Sequence, residues 1–271
     1  MIKITSRKNE KIKELIKFRK KNGKTAKDLI LIEGEREIER ALAASVVPLE
    51  IYFCEDFLPK KSENNLLKSL EKKFKDAYFY QVPKDIFESI AYKNNPFGIL
   101  VLAKFHLKKL TDIKLAAKPA CLICDNIEKP GNLGALLRTA DGVGLDAVYQ
   151  TGALTDYRNP NVVRASTGTI FNLNFTQCAA QELITHLKKH KIKIIAADPD
   201  ATMIYSDIDY TDGYALVVGA EDKGLSQIFL DQADYLVKIP MLGAADSLNV
   251  HQAATVILFE ALRQRGFKKL R

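Results

Sequence analysis

Short runs of apolar, largely β-branched residues alternate with amphipathic stretches along almost the whole chain, and this alternation restricts the fold more than any other feature. In the second half, ACLICDNI, DAVYQT, IKIIAAD, GYALVVGAE and ADYLVKIPM read as strands; GNLGALLRTADGVG, QELITHLKKH and SLNVHQAATVILFEALRQR read as helices. Near-continuous apolar strands separated by helices predict a parallel sheet covered on both faces. The first half alternates in the same way, with DLILIEG, LEIYFC, AYFYQV and GILVLAKF as strands and EREIERALAAS, LLKSLEKKF and KDIFESIA as helices. Between the halves, HLKKLTDIKLAAKP mixes charge with short apolar pieces and ends in Pro119. The expectation is two α/β domains, 1–106 and 119–271, joined by a linker over 107–118.

Composition excludes several classes. With 47% hydrophobic and 27% charged residues the chain is neither disordered nor fibrous by composition. It holds no run near the ~18 apolar residues of a membrane span, and MIKITSRKNEKI lacks the apolar centre of a secretory signal. A cytoplasmic protein that starts near Met1 and has no membrane partner is therefore expected. Four cysteines, Cys54, Cys121, Cys124 and Cys178, are too few for a disulfide scaffold. Cys121 and Cys124 form a CxxC pair with no second Cys or His pair at matching spacing, so the sequence predicts a buried strand there and no metal site.

The formal charge of +8 lies in one place. Residues 1–24 hold ten Lys and Arg against two Glu, which leaves 31 of each sign in the remainder. Ile12, Leu15, Ile16 and Arg19 follow helical spacing, while Lys8, Lys11, Lys13, Lys17, Lys20, Lys21 and Lys24 spread over the rest of the surface. Charge alone leaves two readings equally open, a solvated helix face and a contact with a polyanion. A membrane surface is a third, against which the narrow apolar face and the absence of Trp count.

Three glycine-containing stretches follow strands in the second half: DNIEKPGNLGALLRTADG (125–142), VVGAEDKGLS (217–226) and IPMLGAADSLN (239–249). Ligands of open α/β sheets settle outside the carboxyl ends of strands, where glycine permits close backbone approach. Gly219 and Gly224 have P-loop spacing, but Leu225 and Ser226 stand where Lys and Ser or Thr are required, which argues against a nucleotide triphosphatase. No GxGxxG follows a strand, so a nicotinamide-type oxidoreductase lacks support. One such turn is ordinary; three carrying Asn132, Arg138, Glu221, Ser247 and Asn249 point to a site.

On these residues the sequence resembles a known family. PGNLGALLRTA, LVVGAEDKGLS and IPMLGAADSLNV match, in order, the three motifs of the SpoU (TrmH-type) RNA ribose 2′-O-methyltransferases of the SPOUT superfamily. VVRASTGTIFNL is similar to the family's link between the first two. ITSRKN, LILIEGEREIERAL and NPFGILVLA resemble the substrate-binding domain of ribosomal RNA members, so the likeness spans nearly the full length. It departs after SLNV, where His251 and Gln252 replace small residues; sequence position gives His251 a packing or surface role, and Asp246 none.

The resemblance implies an α/β fold with a C-terminal knotted parallel-sheet domain (a SPOUT trefoil knot) and a smaller N-terminal α/β RNA-binding domain. It implies methyl transfer from S-adenosylmethionine to a ribose 2′-hydroxyl, with ribosomal RNA favoured over transfer RNA, and a homodimer formed through the C-terminal domain. The cofactor would be held by Gly219, Glu221, Gly224, Ile239, Met241 and Leu248. Arg138 would act on the substrate, organised by Asn132, Glu221, Ser247 and Asn249. Lys8, Lys11, Lys17, Arg19, Lys20 and Arg36 would contact RNA. A guanidinium stays protonated, so Arg138 is expected to grip a phosphate and stabilise a developing alkoxide while Ser247 or water passes the proton on. A non-catalytic RNA-binding protein on the same fold is the alternative of a different class, and the presence of all five catalytic candidates weighs against it.

Overall fold

A computed structural model describes residues 1–20, 28–58, 63–92 and 95–267. The chain divides into two compact units: residues 1–106 with 156–172, and residues 107–155 with 173–271.

Unit 1 contains β1 (Ile2–Lys3), α1 (Glu10–Lys20), β2 (Leu29–Glu33), α2 (Glu35–Ala43), β3 (Val47–Phe53), α3 (Glu63–Lys73), β4 (Tyr78–Gln81), α4 (Lys84–Ile90) and β5 (Ile99–Lys104). Its sheet runs in the order β1-β4-β3-β5-β2 and is mixed, because β5 pairs antiparallel with both β2 and β3. The basic N-terminal helix forms as the spacing predicts. Ile12, Leu15 and Phe18 are buried among Tyr52, Tyr80, Phe87 and Leu100. Lys8 and Lys17 are exposed, as is Arg36 on α2. Lys11, in contrast, donates to Glu50 (Nζ to Oε1, 2.5 Å), and Arg19 donates to the Ser89 carbonyl (2.9 Å) with its guanidinium over the Tyr92 ring. Both side chains are thus bonded inside the unit. The Lys20 side chain, and Lys21 and Lys24, lie outside the described residues.

Unit 2 contains β6 (Ala120–Asp125), α5 (Pro130–Gly142), β7 (Ala147–Thr151), and, after α6 (Pro160–Ala165) of unit 1, β8 (Phe175–Gln177), α7 (Ala180–Lys189), β9 (Lys193–Ala197), β10 (Met203–Ile204), β11 (Tyr214–Val218), α8 (Gln227–Gln232), β12 (Tyr235–Lys238) and α9 (Val250–Gln264). All seven strands pair parallel, in the order β10-β12-β9-β11-β6-β7-β8. Every residue of β6, β7 and β11 is buried, which is why these strands read as unbroken apolar runs. Cys121 and Cys124 lie in β6, where burial pushes the Cys121 thiol up to about 12 and Cys124 upward as well; they are core residues.

Two segments depart from the expected domain limits. Residues 107–118 are not a free linker, because Leu110 and Ile113 are buried in the core of unit 2. Residues 156–172 lie within the second half in sequence yet pack with unit 1. There Tyr157 and Phe171 set their rings edge-on to Phe105, Asn161 donates to the Tyr92 hydroxyl, and Arg40 donates to the carbonyl and hydroxyl of Thr167. These partners are remote in sequence, so local pattern carries no sign of them.

Strand order reverses between β6 and β11, which lie side by side with Cys124 opposite Val218. A buried carboxylate fixes the carboxyl ends. Asp125 accepts from the Thr151 hydroxyl (2.8 Å) at the end of β7 and from the Ser226 backbone N–H (2.8 Å) at the start of α8. Next to it, Gly152 takes φ +68°, and a Cβ there would fall 1.9 Å from Asn126 Oδ1. Replacing Gly152 with Ala combines that clash with an unfavourable backbone, so it should cost about 1–3 kcal/mol, measured as a lower urea midpoint at unchanged slope.

Candidate active site

Three loops that follow strands of unit 2 meet at Glu221, and the second and third of them, with residues 197–199 at the end of β9, line a cavity of about 340 Å³. The first follows β6 and enters α5 through Lys129, with Pro130 at the first helical position, where its missing N–H costs nothing. The second is a tight turn after β11. Ala220 and Gly224 exchange both backbone hydrogen bonds at 3.0 Å, Gly224 takes φ +64°, and a Cβ on Gly219 would sit 2.3 Å from the Gly224 carbonyl oxygen. Glycine at both ends is what lets the turn close and present Glu221. The third runs from β12 to α9, where Asn249 caps the helix by accepting from the His251 backbone N–H (3.1 Å).

Glu221 ties the three together. Its Oε1 accepts from Asn132 Nδ2 and from Asn249 Nδ2, each at 2.6 Å, and its Oε2 accepts from Lys129 Nζ. Asn249 Nδ2 also faces Asn132 Oδ1 at 3.5 Å, while Asn249 Oδ1 takes the His251 ring nitrogen Nδ1 at 2.6 Å. The cluster therefore draws one or two members from each glycine-containing stretch.

The structure brings most of the sequence-derived residues to this place. Gly219, Glu221, Gly224, Ile239, Met241 and Leu248 all line the cavity, together with Ser247 and Asn249. Asn132 joins through Glu221. Arg138 does not: it is exposed on α5, six residues beyond Asn132, and among the described residues no hydrogen bond or ion pair ties it to the cluster. Ser247 is exposed on the cavity rim. Sequence reading misses Lys129, Asp125 and the bonded state of His251. Lys129 and Asp125 stand within the first motif stretch, but which acid a lysine meets is set by the fold, and Glu221 is 92 residues away.

The comparisons agree with this geometry. A model of the SpoU rRNA methylase family matches residues 119–259, and one of an MRM3-like substrate binding domain matches residues 9–101. The chain belongs to the SpoU rRNA methylase family. The 23S rRNA (guanosine(2553)-2′-O)-methyltransferase RlmP of Bacillus subtilis (strain 168) is 29% identical over 259 residues, covering 96% of this chain and 98% of that one. The 23S rRNA (uridine(2479)-2′-O)-methyltransferase of Streptomyces viridochromogenes is 29% identical over 245 residues, covering 87% and 76%. A crystal structure of an RNA 2′-O ribose methyltransferase superposes with TM-score 0.84 at 34% identity, covering 97% of this chain and 99% of the other. The SpoU methyltransferase AviRb from Streptomyces viridochromogenes in complex with the cofactor AdoMet gives TM-score 0.85 at 25% identity, covering 96% and 100%.

As a SpoU family member the chain is an RNA methyltransferase whose methyl donor is S-adenosylmethionine, and the cavity suits that molecule. Its volume is in the range of small-ligand sites. Val218, Val237 and Ile257 supply apolar wall for an adenine ring, while the carboxylates of Asp198, Glu221 and Asp246 suit a cationic ligand. Among the described residues no group of three or more His, Cys, Asp or Glu forms a metal cluster, and no helix is long and apolar enough to cross a membrane.

Hydrogen bonds from Lys129 and Asn132 hold the Glu221 carboxyl below its ordinary 4.5, and the same carboxylate holds Lys129 above its ordinary 10.5. A carboxylate with a lowered folded value stabilises fully above 4.5 and loses that contribution as pH falls through the lowered value. A lysine with a raised folded value stabilises fully below 10.5 and loses it as pH rises through the raised value. Replacing Lys129 with Gln should therefore lower the Tm by a similar amount throughout the neutral range, with the difference shrinking below pH 4.5 and above pH 10.5. Salt should diminish it, since the pair is partly exposed.

Proposed function

We propose that this chain methylates a ribose 2′-hydroxyl of ribosomal RNA. The observation that carries the reading is Glu221 holding Asn132 and Asn249 at the rim of a cavity lined by all six expected cofactor contacts. The cofactor, when bound, supplies a methyl group on a positively charged sulfur, which leaves as a neutral thioether. The protein's task is then to bring the hydroxyl in line and to take its proton. Gly219, Ile239 and Leu248 border the cavity, while Glu221 and Asn249 add polar groups to its lining and are held in place with Asn132.

Arg138 fits an assembly of two chains. It is exposed on α5, the helix that packs along α9, where the Thr139 and Thr255 hydroxyls lie 3.0 Å apart and Phe259 is 47% exposed. In a homodimer formed through this face, Arg138 of one protomer serves the partner's cavity, gripping a phosphate and stabilising the alkoxide. The deep trefoil knot belongs to the same reading, supported by β11 lying between β9 and β6 and by three loops meeting at Glu221. The RNA body is taken by unit 1 with Lys8, Lys17 and Arg36, and Lys11 and Arg19 contribute mainly to its internal packing. We place this function in the cytoplasm.

Incubation with methyl-labelled S-adenosylmethionine should place label on a ribose of ribosomal RNA, and Arg138→Ala should abolish it. Label on transfer RNA alone would move the substrate, and none on either RNA or on ribosomal subunits would reject the reading. Co-expression of Arg138→Ala with Asn249→Ala tests the shared site. Random pairing makes half the dimers mixed with one intact site each, so activity should return to about a quarter of wild type. No recovery would confine Arg138 to its own chain.

A further inference from the structure

We propose that a cavity in unit 1 holds one unstacked guanine of the RNA substrate. The inference rests on the RNA methyltransferase reading above and adds a base-specific contact to it.

Helix α1 covers one face of the unit 1 sheet only in part. Glu50 on β3 stands opposite Leu102 on β5, and Leu102 opposite Leu31 on β2; side chains two residues apart share a face, so Leu29 belongs to the same surface. Ile12, Leu15 and Phe18 of α1 are buried among Tyr52, Leu100 and Leu31, whereas Leu29 and Leu102 are only half-buried. A cavity of about 340 Å³ opens there, within the range of small-ligand sites. Leu15, Phe18, Leu29 and Leu102 give it apolar wall. Among the described residues four charged side chains share the lining, Lys11, Glu14 and Lys17 from α1 and Glu50 from β3.

Two of these are fixed as a pair. Glu50 is buried; its Oε1 accepts from Lys11 Nζ (2.5 Å) and its Oε2 from the Tyr52 hydroxyl (2.7 Å). A carboxylate offers about four lone-pair sites and an ammonium three N–H groups. Each Glu50 oxygen therefore keeps one acceptor site, and Lys11, its side chain 44% exposed, keeps two donors. A buried ion pair adds little stability over apolar side chains of the same size, while a few convergent polar groups on an apolar wall are what a ligand site requires. A donor beside two acceptors complements the pairing edge of guanine, which presents O6 as acceptor and N1–H and the N2 amine as donors. Lys11 donates to O6, and Glu50 accepts from N1–H and N2–H. Adenine and cytosine turn a ring-nitrogen acceptor toward the carboxylate, and uracil its O2, so each of them meets repulsion.

The surroundings point to RNA as the carrier of that base. Within the lining Lys11 and Lys17 balance Glu14 and Glu50, so attraction comes from the neighbourhood, where residues 1–24 carry ten Lys and Arg against two Glu. Lys17 is exposed, and among the described residues no hydrogen bond or ion pair engages it, which leaves it for a phosphate. In register with Glu50 on β4, Tyr78 is 60% exposed and its ring stacks on that of Tyr80 (6.3 Å), an aromatic surface suited to an adjoining base.

Fluorescence anisotropy of the full chain with a labelled oligouridine carrying one central guanosine tests the assignment without cofactor or turnover. Wild type should bind it about tenfold more tightly than the same oligomer with central adenosine, cytidine or uridine, with inosine, which lacks the N2 amine, in between. Glu50→Gln, which turns one acceptor into a donor, should abolish that preference and leave plain oligouridine bound at least as tightly. Lys17→Ala should weaken every oligomer alike and reduce the salt dependence. Equal affinity for all four bases, or a guanosine preference that survives in Glu50→Gln, would overturn the assignment. So would guanosine monophosphate binding more tightly than the oligomer, since the cavity would then serve a free nucleotide. Should the variant fail to fold, irradiation of wild type with a central 6-thioguanosine decides: crosslinks to α1 or β3 support the site, and crosslinks confined to other elements remove it. Wild type that methylates ribosomal RNA without preferring guanosine loses only this site; wild type that prefers guanosine but methylates no RNA keeps the site and loses the reading beneath it.

Discussion

Glu221 is one carboxylate with three donors, and the site exists because all three can reach it. Lys129 and Asn132 come from the loop after β6, and Asn249 from the start of α9, so one group sets the spacing of segments 89 and 28 residues away from it. Because the carboxylate stays ionised, it can only accept, and every amide around it is forced into one orientation. The direction of each hydrogen bond in the cluster follows from that charge.

The rest of unit 2 supplies the strand ends on which the loops sit. The reversal of strand order between β6 and β11 opens a crevice at their carboxyl ends, where parallel sheets hold ligands. Asp125, buried at that reversal, joins the end of β7 and the start of α8 to β6, so the loops rise from a fixed base. Above it the bridged Ala220–Gly224 turn leaves no room for a Cβ at Gly219. A rigid lower layer and a shallow polar rim fit a site that must hold a cofactor firmly and admit a bulky RNA.

Much of this was legible in the chain. Parallel β-strands of unit 2 have unbroken apolar runs because both faces are covered, and the three motif stretches mark the loops that meet. The basic helix has the predicted buried stripe of Ile12 and Leu15. What escaped depends on partners distant in sequence. The edge strands β1 and β10, two residues each, are too short to show a period. The antiparallel β5 of unit 1 has the same composition as a parallel strand, and the capture of 156–172 by Phe105, Tyr92 and Arg40 has no local signal. His251, read as a packing residue from its place after Asn249, acquires its bonding from Glu221 through an amide, a relation no spacing rule contains.

The central claim is that the turn after β11 and the segment from β12 into α9, joined by Glu221, form a single cofactor site. Hydrogen exchange of the full chain, with and without S-adenosylmethionine, tests it most directly, because it reads each loop separately. The account predicts slowed exchange in 219–224, 239–241 and 247–250 together, with unit 1 unchanged, and loss of protection in all three when Glu221 is replaced by Ala. Protection confined to one loop, or centred elsewhere in the chain, would contradict it.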